Sequence, residues 1–597
     1  METRIVFDLE TNGLLDTVDR VWCLAWCDLA DGVVHSVGGP TDEGIRAILP
    51  MLERADYLIG HNILDYDLRV LKKLYNFTPK GKTWDTLLDS KVLWTEIRDI
   101  DFKTRRKNPD FPAGMIGRHS LKAWGYRLGE LKGELAQYGF EEWSQGLQDY
   151  CAQDIRVTVK LYQAITESVR FSQQAHDLEM ELKGYMLDQE EEGMPFDEQA
   201  AASLYTDLAA ERAELEGVLQ LAFTPWQEST EFIPKRDNKA KGYTKGVPYA
   251  KSKMVTFNPR SHKHIAERLI KVRGWQPESF TETGQPETDY DTLVALGTEW
   301  PECKLLARHS EIQKVIGMVA EGKTAYLKMV KKGRIHGQVD TCGTGTGRCS
   351  HKNPNLGNIP RVGDLGKRVR ALFKAPEGHE MIGSDAKGLE LRMLGHYLAR
   401  YDAGAYAKVV TTGDPHTFHQ TMAGLETRDQ AKIFIYGFIY GAGDGKIGQI
   451  VGRGPTAGRT LRNRFLTQFP ALNQLKQAVG VKATVHRSIR GLDGRFLHIR
   501  SDHAALNTLL QSAGAILTKM WVVLFNREIR SRGYFQTGEI RQVGYIHDEL
   551  VLVTKGRGTD AAKEIAQCTI IEAGKHFGLR IKTEADAHQG KSWADIH

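Results

Sequence analysis

Residues 543–553 read Val-Gly-Tyr-Ile-His-Asp-Glu-Leu-Val-Leu-Val, two apolar arms joined through three polar residues. Short apolar arms around a polar break predict strand, tight turn, strand. A turn of this kind ordinarily takes Asn-Gly or Asp-Gly, residues that tolerate positive φ. His547, Asp548 and Glu549 are a poor choice for turning a chain and a good one for presenting carboxylates. A second acid-ended strand lies upstream, Met381-Ile382-Gly383-Ser384-Asp385, and the chain from Ala386 to Arg392 then starts a helix. Phosphoryl transfer needs chiefly positioning and charge neutralisation, which two metal ions held by Asp385 and Asp548 would supply.

Between these acids runs Thr427–Gly441, in which Arg428, Lys432, Tyr436 and Tyr440 recur every fourth residue. That spacing predicts one stripe along a helix, two cations followed by two aromatics. An amphipathic helix with two solvated bases and two core tyrosines would carry the same pattern. A nucleotide lying along the helix would use it differently, with phosphates on the cations and an aromatic against sugar and base.

Near the N-terminus Asp8 and Glu10 end an apolar run, two apart, so a strand would show both on one face. Two carboxylates on one face repel unless a cation lies between them, although a lone Asp-x-Glu is more often a solvated strand end. Two later features change the balance. His61-Asn62-Ile63-Leu64-Asp65-Tyr66-Asp67 follows a predicted strand and enters a helix, and Tyr150 and Asp154 stand four apart on a helix face. Asp8, Glu10, Asp67 and Asp154 are enough acid to hold two magnesium or manganese ions.

A chain of 597 residues exceeds one hydrophobic core and predicts two to four domains. No run approaches roughly 18 uninterrupted apolar residues, and Met1-Glu2-Thr3-Arg4 is no signal peptide, so a cytosolic protein without membrane contact is expected. Net charge of +5 allows nucleic-acid binding without requiring it. Seven cysteines without a Cys-x-x-Cys pair predict reduced thiols. From Ala175 to about Leu221 a charged amphipathic pattern, broken at Gly193-Met194-Pro195, predicts a helical connector. From Pro234 to Lys253 seven cations face only Asp237 among Gly, Pro and Tyr. This predicts a mobile basic loop, suited to solvent or to a DNA backbone.

Phe7-Asp8-Leu9-Glu10-Thr11, the block Asn62 to Asp67 and Tyr150-x-x-x-Asp154 resemble, in order, the three motifs of DEDD-type 3′→5′ exonucleases. Tyr150 marks the DEDDy subtype, in which the tyrosine helps orient the attacking water. The remaining motifs resemble family A (Pol I-like) DNA polymerases, and among them the replicative enzymes of T-seven-type phages. They include Gly117–Leu121, Trp124–Gly129, Thr346–Arg348, Pro354–Leu356, Gly413–Thr417, Gly491–Arg495 and Ala504–Gly514. The resemblance is weakest between about 223 and 311.

The resemblance implies an α/β and α+β multidomain fold. An RNase H-like DEDDy exonuclease domain (1–168) would precede a right-hand polymerase. The right hand would comprise connector and helical thumb (169–330, with the short basic loop at about 224–254), palm (331–402 and 516–597) and fingers (403–515). Asp385 and Asp548 would be the catalytic metal ligands, with the Ala386 carbonyl beside them and Glu549 adjacent. His416, Arg428 and Lys432 would bind the incoming dNTP, Tyr436 would lie against its sugar, and Glu390 would limit room at the 2′ position. Arg348, Gln511, His547, Asn507 and Tyr440 would contact primer-template DNA, partly through minor-groove acceptors shared by every base pair. Two Mg²⁺ ions are expected at each of the two sites, with Mn²⁺ as a substitute. A phage helicase-primase and a single-strand-binding protein are implied partners, and the host cytoplasm the place of action. T-seven-type enzymes carry a long thumb insertion that recruits host thioredoxin; here the stretch is much shorter, which puts thioredoxin binding in doubt. No acidic metal cluster precedes Asp8, so a 5′ nuclease is not expected. A stand-alone nuclease would leave Asp385, the helix stripe and the His547–Glu549 tip without purpose. A phage RNA polymerase would lack the exonuclease motifs.

Overall fold

The computed structural model describes residues 2–131, 139, 141–361 and 363–596. Its N-terminal part is built on a mixed sheet of β1 (Arg4–Thr11), β2 (Val21–Asp28), β3 (Val34–Gly38), β4 (Tyr57–Gly60) and β5 (Lys82–Asp85), in the order β3-β2-β1-β4-β5. β1 pairs antiparallel with β2 and parallel with β4, which makes it the central strand and buries Val6 and Phe7 completely. Helix α1 (Asp67–Tyr75) follows β4 through a turn in which Asn62 adopts φ 68°. Helix α2 (Gln145–Thr166) lies against β1 and β2. Its Leu147, Cys151 and Ile155 recur at helical spacing and enter the core beside Val6 and Trp22.

The predicted helical connector is present as α3 (Gln173–Glu192) and α4 (Glu198–Ala222). Gly193 ends α3 at φ 67°, and Pro195 cannot donate the backbone bond that would continue it. α3 serves two cores. Ala175 and Met180 pack with the N-terminal sheet, whereas Leu178, Leu182 and Met186 join the largest core of the C-terminal half. On the latter side Glu179 is fully buried and pairs with Lys519 and Arg495, and Arg495 also holds Asp493.

After α4 the structure departs from the expected loop. β6 (Trp226–Phe232) and β7 (Tyr249–Val255) form an antiparallel ribbon, in register from Trp226↔Val255 to Phe232↔Tyr249. Composition hides it because the stabilising apolar pairs lie across the ribbon rather than along either arm. The ribbon's root is fixed by Trp226, which stacks under the Arg268 guanidinium at 4.1 Å and meets the His264 ring edge-on.

The C-terminal half contains β8 (Glu380–Ala386), α5 (Leu389–Asp402), α6 (Pro415–Ala423), α7 (Arg428–Ile439), α8 (Ala505–Ser531), β9 (Ile540–Ile546), β10 (Glu549–Thr554) and β11 (Ala585–Gly590). The four strands form one antiparallel sheet, β9-β10-β8-β11, which carries Asp385 and the turn at Asp548. α8 is the one helix among the described residues long and apolar enough to cross a membrane. However, 89% of its apolar window is buried inside the protein, where Leu510, Leu517 and Trp521 fill the main core.

Candidate active sites

The palm carboxylates meet because of strand register. Asp385, near the end of β8, lies opposite Glu549 at the start of β10, and the Ala386 N–H donates to the Asp548 carbonyl at 3.1 Å. β9 and β10 are joined by His547 and Asp548 alone, and His547 takes φ 61°, a left-handed conformation that costs a non-glycine residue about 1–2 kcal/mol. Its ring faces the Gly357 carbonyl at 3.2 Å. The acids border a pocket of about 160 Å³ lined also by Arg361, Arg370 and Trp593. Burial, then Asp385 and Glu390, push the Asp548 carboxyl up to about 7. Arg361 reaches Asp385 at 2.9 Å and Arg370 donates to the Arg361 carbonyl at 3.1 Å. Neither arginine is distinguishable in the sequence from the chain's other cations.

Facing the palm, α7 begins at a capping box in which Thr427 and Gln430 satisfy each other's backbone N–H groups. Arg428 and Lys432 are exposed and Tyr436 is half-buried; Tyr440 caps the helix. Arg428 makes a bidentate ion pair with Asp414, at 2.7 and 3.1 Å, which sequence reasoning did not foresee. That arginine and the Thr417 hydroxyl hold Asp414 well below the usual carboxylate range. His416, two residues after Asp414, has its ring 6.3 Å from that of Tyr436, and burial and then Arg428 lower its pKa. The Tyr440 hydroxyl donates to Glu390 at 2.8 Å, and Arg348 meets the same carboxylate at 3.3 Å. This chain of three side chains ties α7 to α5. Gln511 and Asn507 stand four apart on α8, and the Asn507 side-chain oxygen is buried without a hydrogen bond.

The second acidic group lies about the end of β1. Carboxylate oxygens of Asp8, Glu10 and Asp154 all fall within 4.8 Å of one another. Asp67 stands one step behind, where its carboxylate accepts the Leu9 N–H at 3.2 Å. Burial, then Asp8 and Glu10, raise its pKa well above the ordinary range. Tyr150, also buried, is one helical turn before Asp154. Asp85 supports the arrangement from below: it accepts the N–H groups of Asn62, Leu64 and Leu87 and so fixes the turn that launches α1. Burial lifts Asp85 to about 6. The Cys151 thiol lies 3.7 Å from the Asp8 carboxylate.

Comparison with known proteins gives a consistent result. Residues 237–595 match the model of the DNA polymerase family A. The DNA-directed DNA polymerase of Enterobacteria phage T3 is 34% identical, over 99% of this chain and 100% of the relative. That of Escherichia phage T7 is 33% identical, with the same coverage. The POL domain of Pol1 from M. smegmatis, solved in complex with DNA primer-template and dNTP, shares the fold at TM-score 0.76. It is 18% identical, and the match covers 100% of this chain and 96% of that one.

Proposed function

The chain belongs to DNA polymerase family A, a DNA-directed DNA polymerase performing template-directed synthesis, and we propose that it also proofreads, with both reactions relying on paired metal ions. The observation that carries the polymerase site is the register that sets Asp385 against Glu549 beside the Asp548 turn. Family A polymerases use divalent metals. The palm fits such ions, since like charges gathered at Asp385, Asp548 and Glu390 hold Asp548 at about 7 until a cation offsets them. Asp385, Asp548 and the Ala386 carbonyl would hold two Mg²⁺, or Mn²⁺, which activate the attacking 3′ oxygen and neutralise charge on the triphosphate. Glu549 backs the pair.

Arg428, Lys432 and His416 receive the triphosphate, and Arg428 must exchange Asp414 for phosphate as it does so. Tyr436 lies against the sugar. Glu390, pinned between Tyr440 and Arg348, limits space at the 2′ position. Arg348, Gln511, Asn507, His547 and Tyr440 contact primer and template. A swing of α7 onto the nucleotide would give induced-fit selection.

At the N-terminal site Asp8, Glu10 and Asp154, backed by Asp67, fit a second pair of Mg²⁺ ions by the proximity of their oxygens. Tyr150 would orient the water that attacks the terminal phosphodiester. The chain then divides into exonuclease (1–168), connector and thumb (169–330), palm (331–402 and 516–597) and fingers (403–515). The phage relatives favour action inside the host cell; a helicase-primase and a single-strand-binding protein are partners that only the resemblance to T-seven-type enzymes implies. Extension of a primed template with labelled dNTPs or rNTPs in Mg²⁺ tests the synthetic site. Asp385→Asn should stop extension and spare 3′ trimming; retained synthesis overturns the assignment.

A further inference from the structure

Arg348 meets Glu390 at 3.3 Å, yet 34% of its side chain is exposed, so packing alone does not aim it. Its direction depends on the loop that carries it, 341–349, between the paired strands Gln338–Asp340 and Ser350–Lys352. That loop is gripped from three sides. Lys519 of α8, fully buried, donates to the Thr341 carbonyl at 2.8 Å, and the Cys349 thiol reaches the same carbonyl at 3.7 Å. The backbone at Gly347, φ 81°, lies on the Arg495 guanidinium, where a Cβ would come within 2.9 Å of a nitrogen. From the N-terminal domain Lys91, in the helix Thr86–Leu93, pairs with Asp340 at 2.8 Å, and the other oxygen of Asp340 accepts the Cys342 N–H at 3.1 Å. Within the loop the Thr344 hydroxyl donates to the Arg348 carbonyl at 3.1 Å, which carries the grip on to Arg348 itself.

Lys519 and Arg495 are themselves fixed. Both reach Glu179 on α3, Arg495 also holds Asp493, and all four residues are buried. Burying two acids and two bases carries a desolvation cost that apolar residues of like size would avoid, so such a cluster is a poor device for stability alone. What charged donors add to apolar packing is a fixed direction. We propose that Lys519, Arg495 and Lys91 are positioning residues for Arg348: they fix the 341–349 loop so that Arg348 keeps Glu390 in place against the 2′ position of the incoming nucleotide. This rests on Arg348 and Glu390 acting in nucleotide selection, as proposed for the palm site. Choice between deoxy- and ribonucleotides is thereby set partly from outside the nucleotide pocket, by the connector helix and the N-terminal domain.

The readout is the ratio of kcat/KM for a dNTP to that for the matching rNTP, in single-nucleotide incorporation by the full chain in Mg²⁺. A lower folded fraction scales both values alike and leaves the ratio unmoved, whereas a misaimed Arg348 lowers it. Lys519→Met combined with Glu179→Gln removes one charge of each sign together with the donor to Thr341. It should lower the ratio about three- to tenfold, the worth of about one hydrogen bond. Lys91→Met leaves the buried cluster whole and should lower the ratio about two- to threefold, as loss of a partly exposed ion pair would. Arg348→Ala should lower it at least as far, and adding either change to Arg348→Ala should lower it no further. A parental ratio in Lys91→Met, or in the double variant once a cooperative melting transition shows it folded, overturns the proposal. So does a further loss on top of Arg348→Ala, which would mean that the cluster acts by another route. If Arg348→Ala itself keeps the parental ratio, the role assigned to Arg348 fails first, and the positioning role falls with it.

Discussion

Asp548→Asn should destroy synthesis and make the metal-free protein more stable. Asp548 is held at about 7 against an ordinary value of 3.8, because burial and the neighbouring Asp385 and Glu390 disfavour its charged form. Each unit of such a shift corresponds to about 1.36 kcal/mol, so the fully ionised side chain would cost the fold at most about 4 kcal/mol. Solvent reaches the hairpin tip and screens part of this, leaving roughly 1–3 kcal/mol for asparagine to recover. The sign follows from linkage. A raised folded-state pKa means both states are protonated below about 3.8 and no penalty exists there; it grows with pH and is fully expressed above about 7. At pH 5 only about a third of it is present. Melting of the polymerase part should therefore rise by about 1–3 °C at pH 8 and much less at pH 5. Millimolar Mg²⁺ should narrow the gap, since bound cation stabilises the parent and not the variant. Primer extension should fall by about a hundred- to a thousand-fold or more. A variant that melts no higher than its parent at pH 8, or gains equally at both pH values, would refute the electrostatic account.

Asp8→Ala with Glu10→Ala should remove 3′ trimming of single strands and raise misincorporation, leaving extension intact; an unchanged error rate would show that trimming is not proofreading. Arg428→Ala should raise the KM for dNTP more than tenfold in steady-state kinetics, and Asp414→Asn, which frees Arg428, should not. Glu179→Gln should lower stability by about 3–5 kcal/mol in denaturant titration, because it leaves Lys519 and Arg495 buried with one acid fewer between them. The resemblance to family A implies, through Tyr436, ready acceptance of dideoxynucleotides, readable as chain termination on a gel, and Tyr436→Phe should discriminate against them.

What the sequence reveals is what local pattern encodes. The arms around His547–Asp548, the strand ending at Asp385 and the four-residue stripe on α7 each announce themselves within about fifteen residues. Their side chains then appear on the expected strands and helix faces. Partners brought together from afar have no such signal. Arg361 on Asp385, Asp414 on Arg428 and Asp85 beneath the Asn62 turn are ordinary charged residues until the fold assembles them. The thumb ribbon fails for a related reason. Lysine is its commonest residue and polar residues run along both arms, while Trp226, Phe232, Tyr249 and Val255 find one another only across strands.

Helix α3 limits how this enzyme can be taken apart. The N-terminal sheet domain and the polymerase look like separable modules joined by a linker, and a polymerase-only fragment is an obvious engineering aim. Yet one face of α3 completes the sheet core around Ala175, and another carries Glu179 into the polymerase. A fragment beginning after Glu192 would strand Lys519 without its acid. One beginning before Ser172 would keep the pair and expose the apolar face around Ala175 and Met180. Exchange of N-terminal domains between relatives therefore calls for a junction inside the helix, with its two faces inherited from different parents.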